Sequence, residues 1–395
     1  MTETLKRRIG LPLLTAYGIG VIVGAGIYVL VGAVAGVVGV WTPLAFLLAG
    51  LVAAPSALSY AELSARIPEA AGEAAYVEQG LGLHGLAVFA GLAIVVAGTV
   101  SAAAVLRGGT GYLVAATGLP FAPLLVALGA GLVLVAVVGV LESMAFAAVL
   151  TAVELIGLGL VLYAGVQAEP VADWPAPGPL PLAGMGLATV LAFYAFIGFE
   201  DMVNMAEEVA DPARTVPRAI MLALAVTTLI YVVVSLVTVR AVPVADLAAS
   251  DRPLALVWEK GVGGSAVFLS VIAGLAALNG VLAQVVMAAR VLFGLGRGEP
   301  RLAAFHHAHP RFGTPVLGTL MVGGVVVATA LALPVAALAG ATSVVLLMVF
   351  ALVNLSLIAL KRRAPDAPFR VPVWVPWAGL VTALAALALS FGGIA

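Results

Sequence analysis

Gly18-Ile19-Gly20-Val21-Ile22-Val23-Gly24-Ala25-Gly26-Ile27-Tyr28-Val29-Leu30 decides the fold of this 395-residue chain. The stretch is apolar enough to cross a membrane, yet four glycines fall within nine of its residues. Each interior Gly costs a helix about 1 kcal/mol relative to Ala. Irregular backbone at membrane depth persists only where it is buried in protein or lines a cavity. The stretch therefore reads as a broken transmembrane helix whose free N–H and C=O groups hold a ligand.

The rest of the chain agrees with a membrane setting. It is 63% hydrophobic and only 9% charged, against about 25% charged residues in a soluble domain. The expected class is an all-α polytopic membrane protein, since a transmembrane barrel would show short alternating segments. A net charge of −1 leaves no basic field for nucleic acid, and the absence of Cys excludes thiol catalysis, disulfides and Cys-based metal sites. Lys6, Arg7 and Arg8 precede an apolar run that continues past Gly26 without a cleavage site, which reads as a retained first helix.

Apolar runs of about 20 residues mark spans. Eleven are expected, over 10–38, 41–65, 85–114, 121–140, 144–166, 185–207, 217–239, 263–290, 315–333, 338–360 and 372–392. With the N-terminus cytoplasmic, 14 of the 18 Lys and Arg residues fall on the inner side, as the positive-inside rule requires. The whole chain reads as one transmembrane transport domain.

Five spans after the opening stretch, Phe193-Tyr194-Ala195-Phe196-Ile197-Gly198-Phe199-Glu200-Asp201 is again apolar, then interrupted by Gly and two acids. Interrupted helices at corresponding positions of two oppositely oriented halves point to a transporter site at an inverted-repeat interface. The repeats would cover about 10–166 and 185–360, leaving 372–392 as an extra helix. Each break alone is also accounted for by close packing through small residues; the pair favours a site. The break at Gly24, Ala25 and Gly26 would offer N–H groups at a positive helix end to a carboxylate. Unwound carbonyls around Tyr194 and Gly198 would accept from an ammonium group. Together they suit a zwitterion, with Tyr194 as an aromatic gate.

An ionisable group at mid-bilayer marks a functional site by default. Glu154 lies midway along 144–166. It reads as a proton carrier or cation ligand, and Gly20 and Asn279 complete the expected ion-coupling set. Glu200 lies near the second break as a proton-sensing candidate. Glu207 and Glu208 stand at the inner boundary, where pairing with basic loops would make an inner gate. Asn279 and Gln284 read equally as interhelical glue or site lining, and Arg107 as a snorkelling surface residue. His306, His307 and His309 read as loop residues, with no expected metal site. No HExxH, Walker A or GxSxG pattern occurs, so neither an enzyme nor an ATP-driven pump is supported.

Several motifs carry a family likeness. Gly18-Ile19-Gly20 through Gly24-Ala25-Gly26-Ile27-Tyr28 resembles the first-helix motif of the amino acid–polyamine–organocation (APC) transporters. Phe193 to Glu200, then Glu207-Glu208-Val209 and Asp211-Pro212-Ala213-Arg214-Thr215-Val216-Pro217-Arg218-Ala219-Ile220, resembles their sixth helix and following loop. Tyr60-Ala61-Glu62-Leu63-Ser64-Ala65-Arg66-Ile67-Pro68 with Gly72-Glu73 and Tyr76 is similar to the loop after the second helix. Arg290-Val291-Leu292-Phe293 through Pro310-Arg311-Phe312-Gly313-Thr314-Pro315 is similar to the end of the eighth.

The resemblance implies the five-plus-five inverted repeat of the leucine-transporter fold and alternating access. It places a substrate carboxylate at the N–H groups around Ala25 and Gly26, and the amine at carbonyls of Ile22, Tyr194, Ala195 and Ile197. Tyr194 falls at the family's aromatic gate, and Glu200 where some exchangers carry a proton-sensitive acid. Proton-coupled relatives often carry a Lys on the fifth helix, where Glu154 stands here, and many relatives have twelve spans rather than eleven. The expected function is secondary active transport of an α-amino acid across the cell membrane, as proton-coupled symport with H+ preferred to Na+ and no cofactor. The alternatives are an exchanger, a sodium symporter, or an amino acid sensor of the same fold. The expected partners are the amino acid and the lipid bilayer. The oligomeric state, a monomer included, is left open.

Overall fold

The computed structural model describes residues 7–24, 26–69, 72–172, 174, 178–250 and 252–392. The helices are α1 (Leu11–Val23), α2 (Gly26–Val38), α3 (Thr42–Arg66), α4 (Gly72–Leu81), α5 (His84–Thr117), α6 (Phe121–Val138), α7 (Val140–Gln167), α8 (Leu182–Phe193), α9 (Pro212–Ala241), α10 (Val244–Ala249), α11 (Pro253–Gly261), α12 (Val267–Gly298), α13 (Val316–Ala332), α14 (Val335–Arg363) and α15 (Trp374–Gly392). Short 3₁₀ segments follow α8, at Tyr194–Phe196 and Glu200–Glu208. Among the described residues, nine helical stretches are long and apolar enough to cross a membrane, and Val316–Ala332 and Trp374–Ala388 are shorter apolar helices. These eleven overlap the eleven spans expected from the sequence, the first two dividing at Tyr28 and Leu30 rather than near residue 40, and the chain is an all-α polytopic membrane protein.

Two spans are interrupted, for a backbone reason in each case. Between α1 and α2 the chain turns at Gly24, with φ 31° and ψ −149°. In the sixth span the helix tightens to 3₁₀ over Tyr194–Phe196, then kinks at Gly198, with φ 131°. Side chains rarely adopt such angles, whereas Gly does so without penalty. Extra helices sit where the sequence has longer loops: α4 within 67–83, and α10 and α11 between α9 and α12.

The third span packs along the eighth (α5 on α12) and the second along the seventh (α3 on α9). Small residues permit the first approach. A Cβ on Gly109 would lie 2.5 Å from that of Ala277, and one on Gly274 would meet Leu113 at 2.6 Å. Between lipid-solvated helices, van der Waals packing of this kind takes over the role that hydrophobic burial plays in water. Leu51, Leu134, Val149, Ile156 and Val381 point outward and are exposed, as expected of a lipid-facing perimeter.

One end of the bundle is tied together by backbone and charge. Arg8 and Ile9 donate their N–H groups to the Glu208 carbonyl at 2.8 and 3.0 Å, and Ala210 N–H returns to the Ile9 carbonyl at 3.0 Å. Glu62, fully buried in α3, takes Arg66 on Oε1 at 2.6 Å, and Lys361 of α14 and the Val371 N–H on Oε2 at 2.6 and 2.7 Å. That carboxylate joins α3, α14 and the approach to α15.

Candidate functional site

The two breaks cross each other. A Cβ on Gly198 would lie 2.8 Å from Val21 Cγ1 and 3.3 Å from the Ile22 nitrogen. One on Gly26 would lie 3.2 Å from the Ala195 Cα. Gly198 is thus required by its backbone angle and by Val21, and Gly26 lets the first span pass tightly over the Ala195 backbone. Ala25, expected to join the anion-binding half, lies outside the described residues.

Beside the crossing is a cavity of about 400 Å³, within the roughly 300–1,000 Å³ typical of small-molecule sites. The first span lines it with Val21, Ile22, Gly24, Gly26 and Leu30, and the sixth with Tyr194, Ala195 and Ile197. The third span adds Ser101, Ala104, Val105, Gly108 and Tyr112, the eighth Gly280 and Gln284, and α14 Thr342 and Ser343. Among the described residues, no charged side chain lines it. Gln284 thus reaches the lining and also donates to Ser101 Oγ at 2.8 Å.

The polar groups on offer are backbone ones. Gly26, Ile27 and Tyr28 begin α2, so their N–H groups have no partner within the helix, and the dipole's positive end lies there. Of the carbonyls expected to face an ammonium group, two already share a donor. The Tyr231 hydroxyl on α9 lies 2.7 Å from the Ile22 oxygen and 2.8 Å from the Ala195 oxygen. Phe196 and Phe46 hold its ring edge-on, at 5.0 and 5.5 Å between centroids. The Tyr194 oxygen accepts from the Ile197 N–H at 3.4 Å. Sequence reading passed over Tyr231, because an aromatic residue in a long apolar helix carries no signal of its own.

Glu154 is fully buried on α7. Neither carboxyl oxygen makes a hydrogen bond of good geometry among the described residues, nor does Asn279 Oδ1, and the Asn279 side chain is the polar neighbour of the carboxyl. Asn279 Nδ2 donates to Thr151 Oγ1 at 2.9 Å, and Thr151 stands one helical turn before Glu154. A Cβ on Gly20 would collide with both Thr151 Oγ1 and Asn279 Nδ2, so the bare Gly20 backbone lets the first span reach this pair. The Tyr28 hydroxyl donates to the Glu154 carbonyl at 3.1 Å, which ties α2 to α7. Thr151 was also missed, although its position one turn from an intramembrane acid was a usable signal.

On the end closed by the Ile9–Val209 bridge, Glu208 pairs with Arg290 of α12, both about 1% exposed. Glu207 pairs with Arg297 at 2.8 Å. The expected partners were basic loops; the partners are instead on the eighth span itself, because α12 runs to Gly298. Tyr17 completes the closure by donating to the Ala283 carbonyl at 3.2 Å. Glu200 turns back on the break, its Oε2 accepting the Gly198 N–H at 2.8 Å. Arg107 donates to the Ala330 carbonyl at 2.6 Å and lies over the Phe121 ring. His306 stacks on Phe293 and bonds its carbonyl at 2.9 Å, and His309 Nδ1 accepts the Arg311 N–H at 3.3 Å.

Comparison with known proteins gives a consistent result. Residues 9–395 match the family model described as amino acid permease. The chain is 29% identical to a branched-chain amino acid permease of Bacillus subtilis (strain 168), over 94% of this chain and 84% of that protein. It is 30% identical to a methylthioribose transporter of the same organism, over 97% and 87%. It is 31% identical to vacuolar cationic amino acid transporter 2 of Arabidopsis thaliana, over 92% of this chain and 61% of that longer protein.

Proposed function

Because the chain belongs to the amino acid permease family, we propose that it is a secondary active transporter of a neutral α-amino acid, coupled to protons and working by alternating access in the cell membrane. The observation that carries this reading is the crossing of two broken spans at an uncharged cavity of about 400 Å³. The substrate carboxylate meets the N–H groups that begin α2. The ammonium group meets the carbonyls of Ile22, Ala195 and their neighbours, in competition with the Tyr231 hydroxyl. Tyr194 covers the bound molecule.

An uncharged lining selects against charged side chains, since an unpaired buried charge costs several kcal/mol. Of the relatives' substrates, branched-chain amino acids fit this lining best. The basic ends of the spans favour a cytoplasmic N-terminus. Glu207 and Glu208, with Arg297 and Arg290, then form the inner gate, and Glu200 braces the break above it.

Glu154 supplies the coupling. A proton arriving from outside neutralises it, and the neutral form allows the first span to close over the amino acid through Gly20, Thr151 and Asn279. Release of substrate inward lets the proton leave. A second reading has one observation in its favour: the oxygens of Glu154 and Asn279 Oδ1 make no hydrogen bond of good geometry among the described residues, and such oxygens suit a hard cation such as sodium. The paired breaks support an inverted repeat over 10–166 and 185–360, which belongs to this proposal.

The test is uptake of labelled amino acids into proteoliposomes with and without a pH gradient. Accumulation should follow the gradient, be indifferent to replacing sodium with potassium, and vanish in Glu154→Gln. Full gradient-driven accumulation by Glu154→Gln would remove its coupling role, and dependence on sodium would select the second reading.

A further inference from the structure

A second buried acid lies on the inner side of the crossing, outside the transport site. Glu73 stands in the first turn of α4, in the segment between the second and third spans, and is fully buried. It faces Glu200–Glu208. Asn204 Nδ2 donates to Glu73 Oε1 and to the Glu200 carbonyl, each at 3.4 Å, and its Oδ1 accepts the Gly72 N–H at 3.1 Å. Glu200 in turn holds Gly198. A chain of contacts thus runs from α4 to the break in the sixth span.

Glu73 Oε2 and Asp201 Oδ2 have no hydrogen-bond partner among the described residues. Two phenols add an independent sign. Tyr60 of α3 and Tyr76 of α4 are fully buried beside the acid; the Tyr60 hydroxyl is within reach of the Glu73 carboxyl, and the Tyr76 hydroxyl has no hydrogen-bond partner among the described residues. Their rings meet edge-on, 6.2 Å between centroids, and a Cβ on Gly72 would come within 3.1 Å of the Tyr76 oxygen.

Among the described residues, no cation balances these acids. The titratable neighbours of Glu73 are Tyr60 from α3, Tyr76 from its own helix, and Glu200 and Asp201 from the sixth span, with Glu69 beside Tyr76. On the packed helices, Arg363 of α14 donates to the Gly80 carbonyl, His84 of α5 pairs with Glu78, and Arg290 of α12 pairs with Glu208. Carboxylates taken out of water without a cation keep their protons. Burial, helped by the nearby Glu200 carboxyl, pushes the Glu73 carboxyl up to about 8, against the opposing effects of its own N–H, of Asn204 and of the Tyr60 hydroxyl.

We propose that Glu73 is a second proton-binding site of the transporter, tied through Asn204 and Glu200 to Gly198, which gives its proton to inner water when the sixth span parts from α4. The proposal rests on alternating access and is independent of what Glu154 does. The sign follows from linkage. In the closed form the carboxyl titrates near 8; once solvated it returns to about 4.3. Below that range both forms are protonated and pH has no effect. Between the two values, opening releases a proton, so the open fraction rises with pH by up to about tenfold per unit. Above about 8 the effect levels off.

The chain lacks Cys, which makes a single reporter simple. Met202 is fully buried behind the inner gate. Met202→Cys is labelled with a water-soluble thiol reagent from about pH 6 to about pH 9, with Glu73 or with Glu73→Gln in the same background. The ratio of the two rates cancels the ionisation of the thiol itself. The ratio should rise several-fold across this range, without substrate or gradient; a flat ratio would overturn the proposal. Asn204→Ala provides a second reading should Glu73→Gln not fold. It removes a donor that favours the carboxylate, so the midpoint should move to higher pH, and an unmoved midpoint would equally count against Glu73. Loss of coupling in Glu154→Gln with the Glu73 ratio intact would separate the two sites.

Discussion

Tyr231 has one hydroxyl proton and two carbonyl oxygens within 2.8 Å, one from each broken span. Only one carbonyl can be satisfied at a time, so the pair offers a place for a better donor. An ammonium group has three N–H bonds and a charge, and hydrogen bonds to charged groups are worth about 1.5–3 kcal/mol against about 1 for neutral ones. Tyr231→Phe should lower the thermal stability of the empty protein, because both carbonyls lose their donor. It should also shift the half-saturation concentration for uptake without removing transport, and proteoliposome kinetics on the variant check this. An unchanged melting temperature and an unchanged half-saturation would assign the hydroxyl no part in holding the breaks. Glu208 and Arg290 allow a different argument. Removing one member of a buried ion pair leaves the other uncompensated, at a cost of about 3–5 kcal/mol. Glu208→Gln should therefore unfold at lower temperature than the double replacement Glu208→Gln with Arg290→Met. Equal melting temperatures would mean that the pair is solvated rather than buried.

The broken spans belong to the next scale. Gly198, at φ 131° and with Val21 and Ile22 against it, has room for neither the conformation nor the volume of a side chain. Gly198→Ala should insert into the membrane and purify as a folded protein, yet lose most uptake, because the two breaks can no longer cross. Retained uptake would move the substrate elsewhere. Both breaks were legible in the sequence, since clustered Gly weakens an apolar helix unless its backbone must bend or meet another segment closely. So were the spans, from length and hydropathy alone. Glu154 stood out because an acid in such a run is costly unless it serves a site. What stayed hidden depended on approach between distant segments. Tyr231 meets Ile22 across 209 positions, and Arg290 meets Glu208 across 82. No local pattern marks a tyrosine whose partner is another helix's unwound carbonyl. The 3₁₀ geometry of Glu200–Glu208 was hidden for the same reason, as tertiary contacts decide how a span continues after its break.

At the scale of the whole molecule, the end closed by Glu208 and Arg290 and the cavity beside the breaks describe one arrangement of the bundle. Arg8 and Ile9 on Glu208, the Arg290 pair and the Glu62 junction are its fastenings. The uncharged lining makes a selectivity prediction: neutral amino acids with apolar side chains should raise the melting temperature of the purified protein, and lysine or glutamate should not. The central claim is that the substrate binds where the two breaks cross. Equilibrium binding of a labelled neutral amino acid, such as leucine, to purified wild type and to Gly26→Leu tests it most directly. Gly26 has the Ala195 backbone at 3.2 Å from a Cβ, so a leucine side chain there fills the crossing. Saturable binding to the wild type and none to a folded Gly26→Leu is the predicted result. Equal binding by both proteins would contradict the account.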